Sequence, residues 1–130
     1  MGKKAILCVD DEKMILTCLR DQLRNSFGNK YEYEFAESGD EALEVIEELS
    51  ENGLEILIIV SDWLMPDMKG DELLVRVHRK FPGIVKVMLT GHANQEAIER
   101  AKKEANLHSC LYKPWSEEEL IETLISGLEK

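Results

Sequence analysis

The sequence has no long apolar run, no paired set of cysteines and no excess of positive charge. None of its hydrophobic stretches approaches the roughly 20 residues that a membrane-spanning helix needs. Residues 1–4 lead into a short apolar run and then into acidic residues, without the apolar segment and cleavage site of a signal peptide. We therefore expect a cytoplasmic protein that does not insert into a membrane.

The three cysteines, Cys8, Cys18 and Cys110, are an odd number at wide spacings. Neither a disulfide framework nor a zinc site has this pattern. Each cysteine lies in an apolar stretch, where a free thiol packs as a small hydrophobic side chain. We therefore predict that all three are buried structural residues.

Negative charge dominates the composition: 26 Asp and Glu oppose 16 Lys and Arg, for a formal net charge of −10. Binding to nucleic acid rests on Lys and Arg side chains that neutralise phosphates. The composition therefore argues against nucleic acid as a direct partner, and any DNA-binding output domain would lie outside this chain. The 130 residues fit one domain, and they contain no internal repeat, linker or low-complexity segment.

Strand-like and helix-like segments alternate five times along the chain. Short apolar or alternating runs predict strands at residues 5–9, 31–37, 55–61, 84–90 and 108–112. Apolar stripes at helical spacing predict helices at 14–27, after the capping box that begins at Ser38, at 71–81, at 94–105, and after a second such box at Ser116. Five strand–helix units predict an α/β fold, a parallel sheet with helices on both faces.

The character of two strands predicts the order of the sheet. The third strand, EILIIVS, is almost continuously apolar, which indicates burial on both faces and a central position. The second strand, YEYEFAE, alternates aromatic residues with glutamates, as a half-exposed edge strand does. The order 2-1-3-4-5 satisfies both observations.

Polar side chains stand where four of the predicted strands end. Asp10 and Asp11 follow the first strand, and Asp62 ends the third. Thr90 ends the fourth strand and Lys113 follows the fifth. In sheets of this kind, ligands bind beyond the carboxyl ends of the strands, where the strand order reverses. The five residues are therefore expected to meet in one crevice.

The chemistry of this set points to phosphoryl transfer. Three crowded carboxylates repel one another unless a cation is bound, and hard oxygen ligands with room for water suit Mg²⁺. A carboxylate can attack phosphorus to give an acyl phosphate, while Thr90 and Lys113 can compensate the charge of the transferred group. Asp11 alone would be read as a helix cap, but five such residues at four strand ends on one side form a specific signal.

Four stretches carry a resemblance to a known family. They are ILCVDDE at residues 6–12, SDWLMPDMKGDEL at 61–73, VMLTG at 87–91 and YKPW at 112–115. Together they resemble the CheY-like receiver domains of two-component response regulators, and the resemblance spans the whole chain. It implies a flavodoxin-like (βα)5 three-layer sandwich that acts as a signalling switch rather than as an enzyme, although it promotes its own Mg-dependent phosphorylation and dephosphorylation.

The resemblance also implies partners and a site. A histidine kinase or a phosphotransfer protein would phosphorylate Asp62, and an unidentified output domain or target protein would respond. Mg²⁺ or Mn²⁺ would be bound directly by Asp11, by Asp62 and by the backbone carbonyl of Leu64, with Asp10 contributing through water. No organic cofactor is expected. The single receiver domain would either stand alone or form part of a longer regulator or hybrid kinase.

Further positions take their roles from the same resemblance. Thr90 would be the switch hydroxyl, and Lys113 would pair with the phosphoryl group. Pro114 resembles the family proline that follows a cis peptide. Gly70 resembles the glycine of the loop after the acceptor, where it would permit a tight turn. Bulky Leu64 and His92, two residues after Asp62 and Thr90, would obstruct the hydrolysing water and predict a long-lived phosphoryl state.

One position departs from the family pattern. Cys110 stands three residues before the lysine, where many receivers have Tyr or Phe, and Tyr112 is predicted to face the other side of its strand. We therefore expect the switch to be read through residues 91–94 and the fourth helix, whose thin apolar stripe suggests a mobile element. Equal hydrogen exchange there with and without a phosphoryl mimic would count against this hypothesis.

Three other functions compete with the switch. Haloacid-dehalogenase-like phosphatases use an aspartyl nucleophile, but they carry D-x-D on the first strand and the acids here are adjacent. A flavodoxin would need a first loop that cradles phosphate, and DDEK would repel it. A phosphate-independent interaction module of receiver shape is the remaining alternative, although such modules usually lack the acids or the lysine.

Overall fold

Strands and helices alternate along the chain, as the sequence predicts. A computed structural model describes residues 3–91 and 95–129. The strands are β1 Lys4–Val9, β2 Glu32–Ala36, β3 Glu55–Asp62, β4 Val85–Thr90 and β5 Ser109–Tyr112. The helices are α1 Lys13–Phe27, α2 Gly39–Glu51, α3 Gly70–Lys80, α4 Gln95–Ala105 and α5 Glu117–Leu128. The predicted start of the fourth helix at residue 94 lies outside the described residues.

The five strands form one parallel sheet of order β2-β1-β3-β4-β5, which confirms the predicted topology. β3 lies at the centre and is buried along its last five residues. β2 lies at an edge and its first four residues are only partly buried. Along the sheet, Val9 pairs with Ser61 and Asp62 pairs with Leu89, so the carboxyl ends of β1, β3 and β4 lie side by side.

The core consists of two apolar layers, one on each face of the sheet. Alternate residues of a strand point to opposite faces: Ile6 and Cys8 pack on the layer that includes α1 and α5, whereas Leu7 and Val9 pack on the layer that includes α2, α3 and α4. Among the described residues, no helix has both the length and the apolar character that crossing a membrane requires.

The two predicted capping boxes are confirmed at their N-cap residues. The Ser38 hydroxyl accepts from the backbone N–H of Glu41 at 3.1 Å, and the Ser116 hydroxyl accepts from the N–H of Glu119 at 3.0 Å. Each bond satisfies an N–H group that the first turn of a helix leaves unpaired. These caps fix where α2 and α5 begin, and with them the positions of the loops beside the site.

The prediction that all three cysteines are buried is wrong for Cys18. Cys8 is fully buried, and burial raises the pKa of its thiol to about 12. Cys110 is half-buried, whereas Cys18 is exposed. The sequence places Cys18 in an apolar stretch, but the buried residues of α1 are Leu16, Leu19 and Leu23, which turns position 18 toward solvent.

Lys86 is a buried cation near the start of β4, with 1% of its surface exposed. Its Nζ lies 2.7 Å from His78 Nδ1 and donates to the carbonyl oxygen of Pro82 at 3.2 Å. Neither partner carries a negative charge that would compensate the ammonium. Burial therefore lowers the pKa of Lys86 to about 8 from 10.5. The pKa of His78 is lowered as well, mainly by burial and to a lesser degree by the charge of Lys86.

Replacing Lys86 with methionine is expected to raise the free energy of unfolding by about 2 kcal/mol at pH 7, because a desolvated charge is removed and the apolar stem is kept. The unfolded chain holds the lysine proton up to about pH 10.5 and the folded chain only up to about pH 8. Parental stability should therefore rise with pH across that window, and the variant should lack this rise.

Urea denaturation at several pH values checks this prediction. Lys4→Met is the matched control, since Lys4 is also in a strand but is exposed, and its stability should stay close to the parental value. A Lys86→Met protein that is less stable than the parent would show that the contacts of the ammonium outweigh the cost of burying it.

Candidate functional site

Three carboxylates converge where β1 and β3 end. Asp10 and Asp62 are buried, with 0% and 4% of their surface exposed, whereas Asp11 is exposed. One carboxylate oxygen from each lies within 4.8 Å of the others. Asp10 is held by its own loop, since its Oδ1 accepts from the backbone N–H of Glu12 at 2.9 Å. The structure therefore brings together the three acids that the sequence placed at strand ends.

Lys113 reaches these carboxylates from the end of β5. Its Nζ donates to Asp10 Oδ2 and to Asp62 Oδ1, both at 3.1 Å, and its side chain is 19% exposed. Its backbone N–H donates to the carbonyl oxygen of Thr90 at 2.9 Å. The peptide bond between Lys113 and Pro114 is cis, as the family resemblance implies. One ammonium thus bridges two buried acids that are distant in sequence.

The electrostatics of the site show a shortage of positive charge. Burial raises the pKa of Asp62, the neighbouring charge of Asp10 raises it further, and Lys113 only partly opposes them. Burial likewise raises the pKa of Asp10, against the N–H of Glu12 and the ammonium. Burial by itself lowers the pKa of Lys113, but hydrogen bonds to the two carboxylates outweigh it and the net shift is upward.

The residues present fit a divalent cation. The donors are hard carboxylate oxygens of the kind that Mg²⁺ prefers, and one oxygen from each acid lies within 4.8 Å of the others. A dication would also offset the burial and the carboxylate repulsion that together raise the pKa values of Asp10 and Asp62. Asp10, Asp11 and Asp62 would hold it, and Leu64 lines the same pocket.

The pocket above the acids is open to solvent and has a volume of about 480 Å³. Its lining includes Asp11, Asp62, Leu64, Met65, Lys69, Gly91 and Lys113. Thr90 ends β4 and is 2% exposed. It follows Leu89, the residue that pairs with Asp62 in the sheet. His92, which the sequence places near this pocket, lies outside the described residues.

Sequence reasoning missed two residues of the loop that follows Asp62. Lys69 lines the pocket, and its Nζ lies 5.2 Å from the centre of the Trp63 ring. Asp67 accepts from the backbone N–H groups of Gly39 and Asp40, at 3.2 and 2.9 Å. Burial raises the pKa of Asp67, but these N–H groups outweigh it and the pKa is lowered. The loop is therefore fastened to the N-terminus of α2.

Position 70 requires glycine for a different reason from the tight turn that the resemblance implies. It is the first residue of α3, and the structure gives it no positive φ. A Cβ at this position would lie 2.3 Å from the carbonyl oxygen of Asp62 and 2.8 Å from the Cα of Trp63. Its N–H also donates to the Trp63 carbonyl oxygen at 2.7 Å. Glycine is needed because α3 starts directly against the end of β3.

The predicted orientation of Tyr112 is wrong. Positions 110 and 112 are two residues apart in β5, and such residues share a face of the sheet. Burial raises the pKa of the Cys110 thiol, and the neighbouring Tyr112 side chain opposes this to a lesser degree, which agrees with a shared face. Cys110 packs on the layer that includes α4, and Tyr112 is 48% exposed.

The fold and the acidic strand ends together define a receiver-type α/β domain, and comparison with known proteins agrees. The family model "Response regulator receiver domain" matches residues 6–125, so the chain belongs to the receiver domains of two-component systems. A CheY-like receiver domain protein from Methanospirillum hungatei superposes with a TM-score of 0.85 at 30% identity, over 98% of this chain and 95% of that one.

Two curated relatives are much longer than this chain. The sensor kinase CckA of Brucella abortus is 33% identical over 129 residues, which are 99% of this chain and 13% of CckA. The hydrogenase transcriptional regulatory protein HoxA of Cupriavidus necator is 29% identical over 124 residues, which are 95% of this chain and 24% of HoxA. The chain thus spans less than a quarter of either relative. Receiver domains are signalling switches rather than classical enzymes. Magnesium binding and phosphorylation are typical of the family.

Proposed function

We propose that this domain is the phosphoacceptor switch of a two-component phosphorelay and that Asp62 carries the phosphoryl group. The observation that supports this proposal most strongly is the bridge from Lys113 Nζ to Asp10 and Asp62, at 3.1 Å to each. It sets an ammonium between a second acid and a nucleophilic carboxylate, and Asp62 and Lys113 both line an open pocket. In the pocket, Asp62 is the carboxylate that is both buried and at the end of the central strand.

Phosphorylation of Asp62 would proceed as a displacement at phosphorus. A carboxylate oxygen attacks the phosphoryl group of a phosphohistidine, the bond from phosphorus to the imidazole nitrogen breaks, and an acyl phosphate forms. Lys113 compensates the charge on the transferred oxygens, and the Thr90 hydroxyl donates a hydrogen bond to one of them. Asp10, Asp11 and Asp62 would hold Mg²⁺ or Mn²⁺, which would supply further positive charge at the site.

The phosphoryl donor in this proposal is a histidine kinase or a phosphotransfer protein, and the receiver of the signal is an output domain or a separate target. The matched relatives are named as a sensor kinase and as a transcriptional regulator, so receiver domains similar to this one occur with both kinds of protein. The domain would act in the cytoplasm, by itself or within a longer regulator or hybrid kinase.

Intact-protein mass spectrometry after incubation with acetyl phosphate and Mg²⁺ tests the proposal. The parent should gain a single phosphoryl adduct, because a small acyl phosphate can replace the protein donor. Asp62→Asn, which keeps the shape of the side chain but lacks the nucleophilic oxygen, should gain none. A chelator should prevent the adduct on the parent.

A folded parent protein that gains no adduct would contradict this proposal. The phosphate-independent interaction module would then be the better description of the domain. An adduct that persists in Asp62→Asn would place the acceptor elsewhere in the chain. Thermal unfolding of both proteins, measured first, shows that each is folded.

The phosphoryl group on Asp62 is expected to be long-lived because Leu64 lines the pocket and is 49% exposed there. Its apolar side chain would keep the hydrolysing water away from the acyl phosphate. Leu64→Asn should shorten the lifetime about tenfold, equal to roughly 1.4 kcal/mol of barrier. Decay of the adduct over time measures this. Ile125→Asn, an exposed apolar residue of α5, is the control, and equal decay of parent and Leu64→Asn would contradict the prediction.

A further inference from the structure

A chain of hydrogen bonds runs from the residue after Asp62 to the middle of α4. The indole Nε1–H of Trp63 donates to Asp71 Oδ1 at 3.0 Å. Arg100, on α4, donates from Nη1 to the other oxygen, Asp71 Oδ2, at 3.2 Å. Asp71 is 8% exposed, so the carboxylate that joins the two partners is largely shielded from solvent. The three side chains connect the candidate acceptor strand to a helix that it does not adjoin in sequence.

The backbone of Trp63 is fastened to the site itself. Its N–H donates to the carbonyl oxygen of Leu89, the residue before Thr90, at 2.9 Å. Its carbonyl oxygen accepts from the N–H of Gly70 at 2.7 Å. A displacement of the ends of β3 and β4 therefore moves the backbone of Trp63, and with it the indole that contacts Asp71.

Arg100 holds the first turn of α3 by two carboxylates. Besides Asp71, its guanidinium contacts Glu72, with Nη2 2.7 Å from Oε1. The planar guanidinium suits such paired contacts, and charge-assisted bonds are stronger than neutral ones. The other oxygen of Glu72 accepts from Arg76 at 2.7 Å, one turn along α3. Arg76 thus shares Glu72 with Arg100 but lies on α3 itself.

The apolar face of α4 consists mostly of small side chains. Its buried residues are three alanines and one isoleucine: Ala97, Ile98, Ala101 and Ala105. Short side chains bury little apolar area and therefore stabilise the position of a helix weakly. In the same apolar layer, β5 contributes the small thiol of Cys110 rather than an aromatic ring. The ion pairs of Arg100 thus add polar contacts to a helix whose buried side chains are mostly alanine.

We propose that Asp71 and Arg100 are positioning residues that tie α4 to Asp62 through the Trp63 indole, so that α4 responds when Asp62 is phosphorylated. This inference rests on the proposed function. A phosphoryl group on Asp62 would draw Lys113 and Thr90 toward itself and shift the ends of their strands. That shift reaches Leu89 and Trp63, and Asp71 passes it to α4 by contacts that have a different free energy in the two states.

Beryllofluoride with Mg²⁺, as a mimic of the phosphoryl group, provides the test. All proteins carry Trp115→Phe, which leaves Trp63 as the single tryptophan of a sequence that has two. Trp63 fluorescence reports binding at the site, and amide hydrogen exchange reports the response of residues 95–105. The variants are Asp71→Asn and Arg100→Gln, which remove the ion pair and retain similar shapes. Arg76→Gln is the matched control.

In the parent, beryllofluoride should change both the fluorescence of Trp63 and the exchange of α4. In Asp71→Asn and in Arg100→Gln, the fluorescence should still respond, but the ligand-induced change in α4 exchange should fall by at least about threefold. The double variant should lose no more than either single one, since both act on the same tie. Arg76→Gln should keep the parental response.

An equal ligand-induced change of α4 exchange in the parent and in Arg100→Gln would overturn the inference. The same holds if the variants raise α4 exchange equally with and without beryllofluoride, because that is the effect of a merely structural ion pair. A parent whose Trp63 responds while α4 does not would also overturn it. If no protein responds by fluorescence, the proposed function fails, and the inference fails with it.

Discussion

Replacing Lys113 with alanine is expected to slow the phosphorylation of Asp62 by acetyl phosphate by about 100-fold or more, the usual loss when a charge that stabilises a transition state is removed. The ammonium is 3.1 Å from both Asp10 and Asp62. In its absence the transferred oxygens meet two buried carboxylates with one positive charge fewer. The rate of adduct formation by mass spectrometry measures the effect.

The same variant should bind Mg²⁺ at least as tightly as the parent, because Lys113 competes with a cation for the same carboxylates. Trp63 fluorescence during Mg²⁺ titration reports this. Lys113→Arg keeps the charge with a different shape and should fall between the two proteins in rate. Lys30→Ala removes an exposed lysine that precedes β2, at the opposite end of the strands from the site. Its phosphorylation rate should match that of the parent. A Lys113→Ala protein that is phosphorylated at the parental rate would exclude Lys113 from the reaction.

Replacing Gly70 with alanine is expected to destabilise the domain by about 3 kcal/mol or more and to weaken Mg²⁺ binding, because the added methyl group meets backbone that cannot move aside. The new Cβ would lie 2.3 Å from the carbonyl oxygen of Asp62. Either α3 must move away or the end of β3 must shift, and the second change displaces the carboxylate of Asp62. Urea denaturation gives the first effect and Mg²⁺ titration gives the second.

Gly83→Ala is the matched control for this substitution. A Cβ at Gly83 meets nothing within 4 Å, and the residue has no positive φ. Its stability and its Mg²⁺ affinity should both stay close to the parental values. Equal stability of the Gly70→Ala and Gly83→Ala proteins would contradict the prediction. It would show that α3 can move away from β3 without a loss of stability.

Most of the fold could be predicted from the sequence because it depends on local patterns. The apolar run at residues 55–61 indicates a central strand, and the alternation in residues 31–37 indicates an edge. Both predictions are confirmed by the sheet order. The convergence of Asp10, Asp11 and Asp62 follows from the same topology, since parallel strands end at one edge.

The remaining features depend on side-chain meetings that no local pattern contains. Trp63, Asp71 and Arg100 are joined only when α3 packs against α4, and Arg100 is 29 positions from Asp71 in the sequence. The exposure of Cys18 depends on how far α1 is rotated about its own axis, which decides the residues that face the sheet. A short apolar stripe does not determine this rotation to within one residue. The close approach of Gly70 to Asp62 depends on where a helix starts relative to a strand.

The measurement that tests the central claim most directly is the location of the acyl phosphate in the chain. Borohydride reduction of the protein treated with acetyl phosphate and Mg²⁺ converts a phosphorylated aspartate to homoserine, and peptide mass spectrometry finds its position. We expect homoserine at position 62 alone, and none after chelation of the metal. Homoserine at Asp10 or Asp11, or a folded protein with no homoserine at all, would contradict the assignment of Asp62 as the phosphoacceptor.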